Sequence, residues 1–234
     1  MPEHHVQVSG PEEVPKPTRL FEAVVILSFA VAVLSLLLFT WLGHEMLEGD
    51  TRRFDDSVRF WVHQFASPGI TRAMTLVSSL GSRVLVAQLA VVLIVFAWLR
   101  WRRAALWLAI TMAGALLLEV ALKWAYHRPR PEAFFGDLPN SYSFPSGHAL
   151  TSLCFYGVLA GLLSARIKSL PWRIVLWTVA VLLIIAIGLS RIYLGVHYLS
   201  DVLAGYLAAT LWVTGIIVLD HVRKVRFSRQ AVSK

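Results

Sequence analysis

The sequence predicts an all-α membrane protein, a bundle of six transmembrane helices with an interfacial helix between the first and second spans. Of its 234 residues, 57% are hydrophobic and 15% charged, which is too apolar a composition for a soluble domain of this length. Apolar runs of roughly 20 residues recur along the chain, the length that a helix needs to cross the hydrocarbon core. The Lys and Arg residues fall in short clusters between those runs, so the net charge of +8 indicates membrane orientation and not nucleic-acid binding.

The apolar runs also predict how the chain is organised. The six predicted spans are approximately 21–42, 74–99, 104–124, 147–165, 172–192 and 198–219. The first run is too long for the apolar core of a cleaved signal peptide, so we expect it to be retained as a span. Residues 1–19 are predicted to be a polar N-terminal tail, residues 20–220 the membrane domain and residues 221–234 a basic C-terminal tail. Cys154 is the single cysteine, so we expect it to pack in the core.

Basic residues are distributed unevenly between the two sides of the predicted bundle. If both termini lie on one side, that side carries 13 of the 22 Lys and Arg residues. Four of the other nine belong to polar clusters described below, which leaves five in the loops of the opposite side. Because cytoplasmic loops carry the excess of Lys and Arg, both termini are predicted to be cytoplasmic.

The interfacial helix is predicted between the first two spans, where apolar and polar residues alternate with a helical period. The apolar positions are Phe54, Val58, Trp61, Val62 and Phe65, and the polar positions are Asp55, Asp56, Arg59, His63 and Gln64. Such a helix fits the membrane surface. Two interpretations remain open: a cap that lies on the bundle, or an element that guides a lipid head group.

Charged and imidazole side chains are costly inside a membrane bundle, so three polar clusters at span ends predict a functional site. The first cluster contains Lys123, Arg128 and Arg130, where a helix delivers the lysine and two prolines then end it. Glu119 lies one turn before Lys123 on the same helix face. It either pairs with the lysine or meets another polar group of the bundle.

The second and third clusters lie at the ends of later spans. Pro145-Ser146-Gly147-His148 directly precedes the fourth span, where Gly147 allows the backbone to approach a ligand and free N–H groups of the first turn attract anions. The third cluster joins Arg191 to His197 and Asp201 at the fifth and sixth spans. If the chain is helical from His197, Asp201 stands one turn along and can accept its Nδ1–H, which leaves Nε2 free for attack.

The topology places all three clusters on one face of the bundle, opposite the basic loops. Each cluster alone has an ordinary structural explanation: interface anchors, a helix start, or a buried polar pair. Their convergence at one membrane depth makes those separate explanations much weaker and indicates a site for a phosphorylated ligand.

The spacing of the clusters resembles the signature of the type 2 phosphatidic acid phosphatases (PAP2), membrane branch. In the first block, six residues separate Lys123 from Arg130-Pro131. The second block is Pro145 to His148. In the third block, five residues separate Arg191 from His197, and three separate His197 from Asp201. All three blocks match. The resemblance extends from the third span to the start of the sixth, and it implies a six-helix fold and phosphatase chemistry without a metal or other cofactor.

The resemblance also implies a role for each residue of the site. His197 is the expected nucleophile, Asp201 orients its ring, and His148 protonates the leaving group and then activates water. The phosphate-binding residues implied are Lys123, Arg130, Ser146, Gly147 and Arg191. Arg128 does not occupy the signature position that Arg130 fills, so for Arg128 we favour a role behind the phosphate site or on the head group over direct phosphate binding. Glu119 would support Lys123 if the two residues pair.

The expected substrate is a membrane lipid phosphomonoester or diphosphate, such as phosphatidate or phosphatidylglycerol phosphate, cleaved through a phosphohistidine. An undecaprenyl-diphosphate phosphatase is the alternative within enzymes, because the motifs do not distinguish these lipids. A vanadium haloperoxidase shares the oxyanion-binding residues, but six spans argue against that soluble branch. A lipid transporter is the non-enzyme alternative, although transporters place polar residues near the midplane. We expect a bacterial cytoplasmic membrane and an extracytoplasmic site, and the oligomeric state is left open.

Overall fold

The computed structural model describes residues 19–136 and 138–232, and it describes side chains between residues 25 and 220 except at 137. Every regular element in those ranges is a helix, which confirms the predicted all-α fold. The helices are α1 Arg19–Glu48, α2 Arg52–His63, α3 Pro68–Ser79, α4 Arg83–Trp98, α5 Arg102–Tyr126, α6 Gly147–Ser152, α7 Val158–Ser164, α8 Leu170–Tyr193 and α9 Leu199–Val232. Residues 1–18 of the predicted N-terminal tail lie outside the described residues.

The spans follow the apolar runs of the sequence. Within the described ranges, five helical segments are long and apolar enough to cross a membrane: Val25–Glu48, Arg102–Tyr126, Gly147–Ser164, Leu170–Tyr193 and Leu199–Asp220. The Gly147–Ser164 segment joins α6 and α7 through a π-helical turn at Leu153–Gly157. A sixth span is formed when α3 and α4 are taken together as one bent pair.

The second span is not the single helix predicted for residues 74–99. It begins earlier, at Pro68, where the Ser67 Oγ accepts a hydrogen bond from the Ile70 N–H at 3.4 Å and proline occupies the first helical turn. It then breaks after Ser79, and α4 continues from Arg83 at an angle of 42°. The Ser-Pro pair was a start signal in the sequence that the hydropathy pattern alone did not show.

Gly81 lies in this break because a larger residue would not fit there. A Cβ atom at Gly81 would stand 2.7 Å from the Ile187 side chain of α8 and 3.1 Å from the His148 ring of α6. The bend therefore lets the second span pack directly against the beginning of α6.

The interfacial helix α2 is present, but its buried face is mixed. Asp55 and Arg59 are buried together with Val62, whereas Phe54, Trp61 and Phe65 are each more than half exposed. An apolar outer face is what a helix at the membrane interface requires. Because Asp55 and Arg59 are buried, α2 contributes charge to the bundle in addition to covering it.

The core holds the site-bearing helix ends close together. Helix α1 packs against α9, and α9 also packs against the start of α6. At Gly205 of α9, a Cβ atom would stand 2.6 Å from the Ser146 carbonyl oxygen, so glycine permits this contact. The C-terminal ends of α5 and α8 and the N-terminal ends of α6 and α9 consequently meet at one end of the bundle.

Gly114 provides a test of this packing, because it receives the Trp212 ring of α9 on the surface of α5. A Cβ atom at Gly114 would lie 2.0 Å from that ring, whose Nε1–H donates to the Thr111 carbonyl at 3.0 Å. Gly114→Ala should lower the unfolding free energy in detergent by about 1–3 kcal/mol. Gly215→Ala is the matched control, since a Cβ atom at Gly215 in α9 would have no neighbour within 4 Å. Equal thermal stability of the two variants would contradict this account of the α5–α9 contact.

Candidate active site

The structure gathers the three sequence clusters at the shared end of the bundle. Lys123 lies in the last turn of α5, His148 in the first turn of α6, Arg191 in the last turn of α8 and Asp201 in the first turn of α9. His197 lies in the short loop between α8 and α9. His148 lies within electrostatic range of Arg191, His197, Lys123 and Arg130.

His197 is buried, and its hydrogen bonds define which ring nitrogen carries the proton. Nε2 lies 3.0 Å from Nη1 of Arg130, and a guanidinium can only donate, so Nε2 is the acceptor. The proton is therefore on Nδ1, which lies 3.3 Å from both Asp201 Oδ2 and Ser143 Oγ. The ring thus presents the lone pair of Nε2 toward the cluster of cations.

Burial determines the charge of this ring. It lowers the pKa of His197 from 6.5 to about 4, because the loss of water disfavours the charged ring more than the hydrogen bond and charge of Asp201 favour it. Arg130 and Arg191 lower this pKa further. His197 is consequently neutral, and nucleophilic, throughout the physiological pH range.

Asp201 is fully buried and receives four donors. Its Oδ1 accepts from Nη1 of Arg128 at 2.6 Å. Its Oδ2 accepts from the Ser143 hydroxyl, from the Tyr198 backbone N–H at 2.9 Å and from His197. These bonds compensate for a negative charge that would otherwise be very costly to bury.

Arg128 bridges two carboxylates behind His197. Its Nη2 donates to Asp55 Oδ2 at 2.9 Å while its Nη1 donates to Asp201 and, at 2.7 Å, to the Ser200 hydroxyl. Burial alone would lower the pKa of Arg128, but Asp201 and Asp55 outweigh it and raise this pKa, so the guanidinium stays charged. Its donors are directed at these acidic side chains.

Arg130 lies on the other side of His197, where it is held by the chain that leads to α6. Its Nε and Nη2 donate to the carbonyl and hydroxyl of Ser141 at 2.7 and 2.9 Å, and Nη1 donates to the Val196 carbonyl at 2.9 Å. Burial lowers the pKa of Arg130 below its usual value, and the charges of Asp201 and Glu119 oppose that change. Arg130 therefore presents a fixed positive charge beside Nε2.

Lys123 pairs with Glu119, and the position of this pair explains why residue 147 is a glycine. The lysine Nζ donates to Glu119 Oε1 at 2.7 Å. A Cβ atom at Gly147 would stand 1.9 Å from the same Oε1. The sequence suggested that Gly147 admits a ligand to the backbone, whereas here the group that approaches it is the carboxylate that orients Lys123.

Arg191 and Ser146 supply buried polar atoms at the same end of the bundle. The Nη1 of Arg191 donates to the Ser78 hydroxyl at 2.5 Å. Among the described residues, its Nε and the Ser146 Oγ have no hydrogen-bond partner. Buried donors without a partner cost roughly 1–3 kcal/mol each, a cost that an anion would remove.

Four residues of this arrangement were not identified from the sequence: Asp55, Ser78, Ser143 and Ser200. Asp55 occupies a polar face of α2 that the sequence showed, but its partner Arg128 is 73 residues away. The serines are small polar residues near the ends of spans, where serine is common. A signal for Ser143 was its position two residues before Pro145, in the segment that leads into the second cluster.

The arrangement suits transfer of a phosphoryl group. A neutral imidazole with Nε2 exposed to cations can attack phosphorus, and a second imidazole, His148, can move a proton. Three cations and buried donors around Nε2 can neutralise the oxygens of a phosphate.

Comparison with known proteins gives a family for this arrangement. The model described as "PAP2 superfamily" matches residues 104–224, which include all three clusters. Phosphatidylglycerophosphatase B of Bacillus subtilis is 32% identical over 147 residues, which cover 59% of this chain and 70% of that protein. Undecaprenyl-diphosphatase of Sulfolobus acidocaldarius is 30% identical over 125 residues, covering 51% of this chain and 56% of that protein.

A solved structure shows the same fold. The crystal structure of a transmembrane PAP2-type phosphatidylglycerolphosphate phosphatase from Bacillus subtilis superposes with a TM-score of 0.72 at 26% identity. The match covers 81% of this chain and 95% of that one. The chain therefore shares its helical bundle with a membrane protein, and it is an integral membrane protein.

The neutral ring of His197 can be tested by nitrogen NMR of histidine-labelled protein in detergent. Free histidine titrates near 6.5, so at about pH 5.5 it is mostly charged. Because the pKa of His197 is lowered to about 4, its signal should still report a neutral ring with the proton on Nδ1. The signal is assigned by its loss in His197→Asn. A titration midpoint at or above 6.5 would contradict the burial argument.

Proposed function

The chain belongs to the PAP2 superfamily, and from this membership we infer that it is a membrane phosphatase that hydrolyses a lipid phosphate or lipid diphosphate. The observation that carries the proposal is the buried His197, with Nδ1 against Asp201 and Nε2 against Arg130. Phosphatidylglycerol phosphate and phosphatidate are the substrates we propose first, since the Bacillus relatives act on the former by name. Undecaprenyl diphosphate is the second candidate, favoured by the Sulfolobus relative.

In the proposed first step, Nε2 of His197 forms a bond to phosphorus while the bond from phosphorus to the lipid oxygen breaks. His148 donates its proton to that oxygen, so the lipid departs as an alcohol, or as a lipid monophosphate when the substrate is a diphosphate. Asp201 accepts the Nδ1–H throughout and stabilises the positive charge that develops on the ring. The product of this step is a phosphohistidine.

In the second step, His148 takes a proton from water, whose oxygen attacks phosphorus and releases inorganic phosphate from His197. The non-bridging oxygens carry negative charge in both steps. We assign their neutralisation to Lys123, Arg130 and Arg191, assisted by the Ser146 hydroxyl and the backbone at Gly147. Glu119 orients Lys123, and Arg128 supports Asp201 from behind.

We further propose that both termini of the membrane domain, residues 20–220, are cytoplasmic and that the site opens on the extracytoplasmic face of a bacterial cytoplasmic membrane. The basic residues support this orientation: Arg100, Arg102 and Arg103 lie at the opposite end of α5 from Lys123. The same end carries Arg166 and other residues of the α7–α8 loop. The positive-inside rule assigns that end to the cytoplasm.

The proposed activity is tested by phosphate release in detergent from phosphatidate, phosphatidylglycerol phosphate, diacylglycerol diphosphate and undecaprenyl diphosphate. We expect turnover of a glycerolipid substrate that persists in EDTA, falls with vanadate and drops by about 10³-fold or more in His197→Ala. Turnover of undecaprenyl diphosphate alone would select the second candidate. If EDTA abolished the activity and magnesium restored it, the metal-free mechanism would be contradicted. The absence of phosphate release from every lipid would favour a lipid transporter.

The two histidines are distinguished with an aryl phosphate, whose leaving group departs without a proton donor. His148→Ala should still form the phosphohistidine and release about one equivalent of aryl alcohol, followed by little turnover because water is no longer activated. His197→Ala should give no such burst. If His197→Ala gives the burst and His148→Ala gives none, the two roles are exchanged.

The orientation is tested with single cysteines in a Cys154→Ala background. Glu132→Cys, in the exposed segment after α5, should react with an impermeant thiol reagent added to intact cells. Lys168→Cys, in the exposed loop between α7 and α8, is the matched control and should react only after the membrane is opened. The reverse labelling pattern would mean that the site opens on the cytoplasmic face of the membrane.

A further inference from the structure

Asp55 carries a buried charge to which the proposed mechanism gives no role. Its side chain is fully buried, and it belongs to α2, which lies outside the three sequence clusters. The neighbouring carboxylate Asp56 differs: its side chain is 36% exposed and lies 3.9 Å from Arg52. A buried carboxylate on an interfacial helix is costly, so its partners indicate what it does.

The partners of Asp55 are the elements that hold the nucleophile. Its Oδ2 accepts from Nη2 of Arg128 at 2.9 Å and from the Ser200 hydroxyl at 2.5 Å. Its Oδ1 accepts from the Ser200 backbone N–H at 2.9 Å, which satisfies a free donor in the first turn of α9. Asp55 therefore fixes both Arg128 and the start of the helix that bears Asp201.

The guanidinium of Arg128 transmits this constraint because its donors form a rigid fork. One nitrogen is held by Asp55 and the other by Asp201 Oδ1, so rotation of the guanidinium would break both ion pairs. The ring of Tyr198 lies 4.2 Å from the guanidinium carbon and covers it. With Oδ1 fixed on Arg128, the remaining oxygen of Asp201 faces Nδ1 of His197.

We propose that Asp55 is a positioning residue for phosphoryl transfer, acting through Arg128 to hold Asp201 against His197. The inference rests on the proposed function in taking His197 as the nucleophile. Asp55 touches neither the ring nor the phosphate-binding side chains in this network, so its effect passes through Arg128 and α9.

The test compares Asp55→Asn with Asp56→Asn, the same change on the adjacent residue of the same helix. Both variants are assayed as full-length protein in detergent with an aryl phosphate. Asp55→Asn should lower kcat by about 10- to 100-fold, because small misplacements of a reacting group cost that much. Its KM should change by less than about threefold, since the phosphate-binding cations are untouched, and Asp56→Asn should match the wild type within about twofold. A kcat for Asp55→Asn within twofold of wild type, or a change confined to KM, would overturn the proposal.

A double-mutant cycle separates action through Arg128 from a general structural effect. Arg128→Lys keeps the positive charge and loses the fork, so in that background Asp55→Asn should cost less than about twofold further. If each substitution lowers kcat by the same factor whether or not the other is present, Asp55 does not act through Arg128.

Should Asp55→Asn fail to yield folded protein, Ser200→Ala removes one link of the network and should lower kcat by about 3- to 10-fold with KM unchanged. An unchanged kcat for Ser200→Ala would then count against the proposal.

The ring of His197 gives a readout that does not depend on turnover. Nitrogen NMR should show that Asp55→Asn shifts the proton of His197 partly from Nδ1 to Nε2, whereas Asp56→Asn leaves the wild-type signal. An unchanged His197 signal in Asp55→Asn would contradict the positioning role even if activity fell. Failure of the wild type to release aryl alcohol or phosphate would instead reject the proposed function, and the NMR comparison would still decide whether Asp55 orients His197.

Discussion

The site depends on how the protein compensates the buried negative charge of Asp201. An uncompensated carboxylate at this depth would take up a proton or unfold the region, because the surroundings cannot replace its hydration. Arg128 supplies the opposite charge, and Ser143 and the Tyr198 N–H supply hydrogen bonds. Once Asp201 is held in its charged form, it fixes the proton of His197 on Nδ1 and leaves Nε2 as the atom that we propose to attack phosphorus.

The same requirement explains why α2 buries a carboxylate. A surface helix ordinarily buries its apolar stripe and exposes its polar one. Here Asp55 turns inward to share Arg128 with Asp201, and aromatic side chains such as Phe54 and Trp61 remain outside, where the membrane interface accepts them. The two carboxylates and one guanidinium leave an excess of one negative charge behind His197. On its other side Arg130 and Arg191 provide positive charge, so the ring lies between regions of opposite sign, as attack on a phosphate dianion requires.

The spans and the three polar clusters could be predicted because they depend on local patterns. Hydropathy predicts where a helix can cross the bilayer, and the short spacings from Lys123 to Arg130 and from His197 to Asp201 keep each pair at the same end of a span. The contacts between distant segments could not be predicted in this way. The pairing of Asp55 with Arg128 joins residues far apart in sequence, and the proximity of Glu119 to Gly147 depends on how α5 and α6 pack. The break at Gly81 likewise follows from its fit against Ile187, which hydropathy does not record.

In the proposed mechanism, Nε2 of His197 is the atom that bonds to phosphorus. A structure determined in the presence of vanadate, which resembles the phosphoryl group in transfer, is the sharpest test of that bond. We expect vanadium bonded to Nε2 of His197, with its oxygens contacted by Lys123, Arg130 and Arg191 and with Arg128 still bound to Asp201. Vanadium bonded to His148, or held by the cations without a bond to His197, would contradict the mechanism.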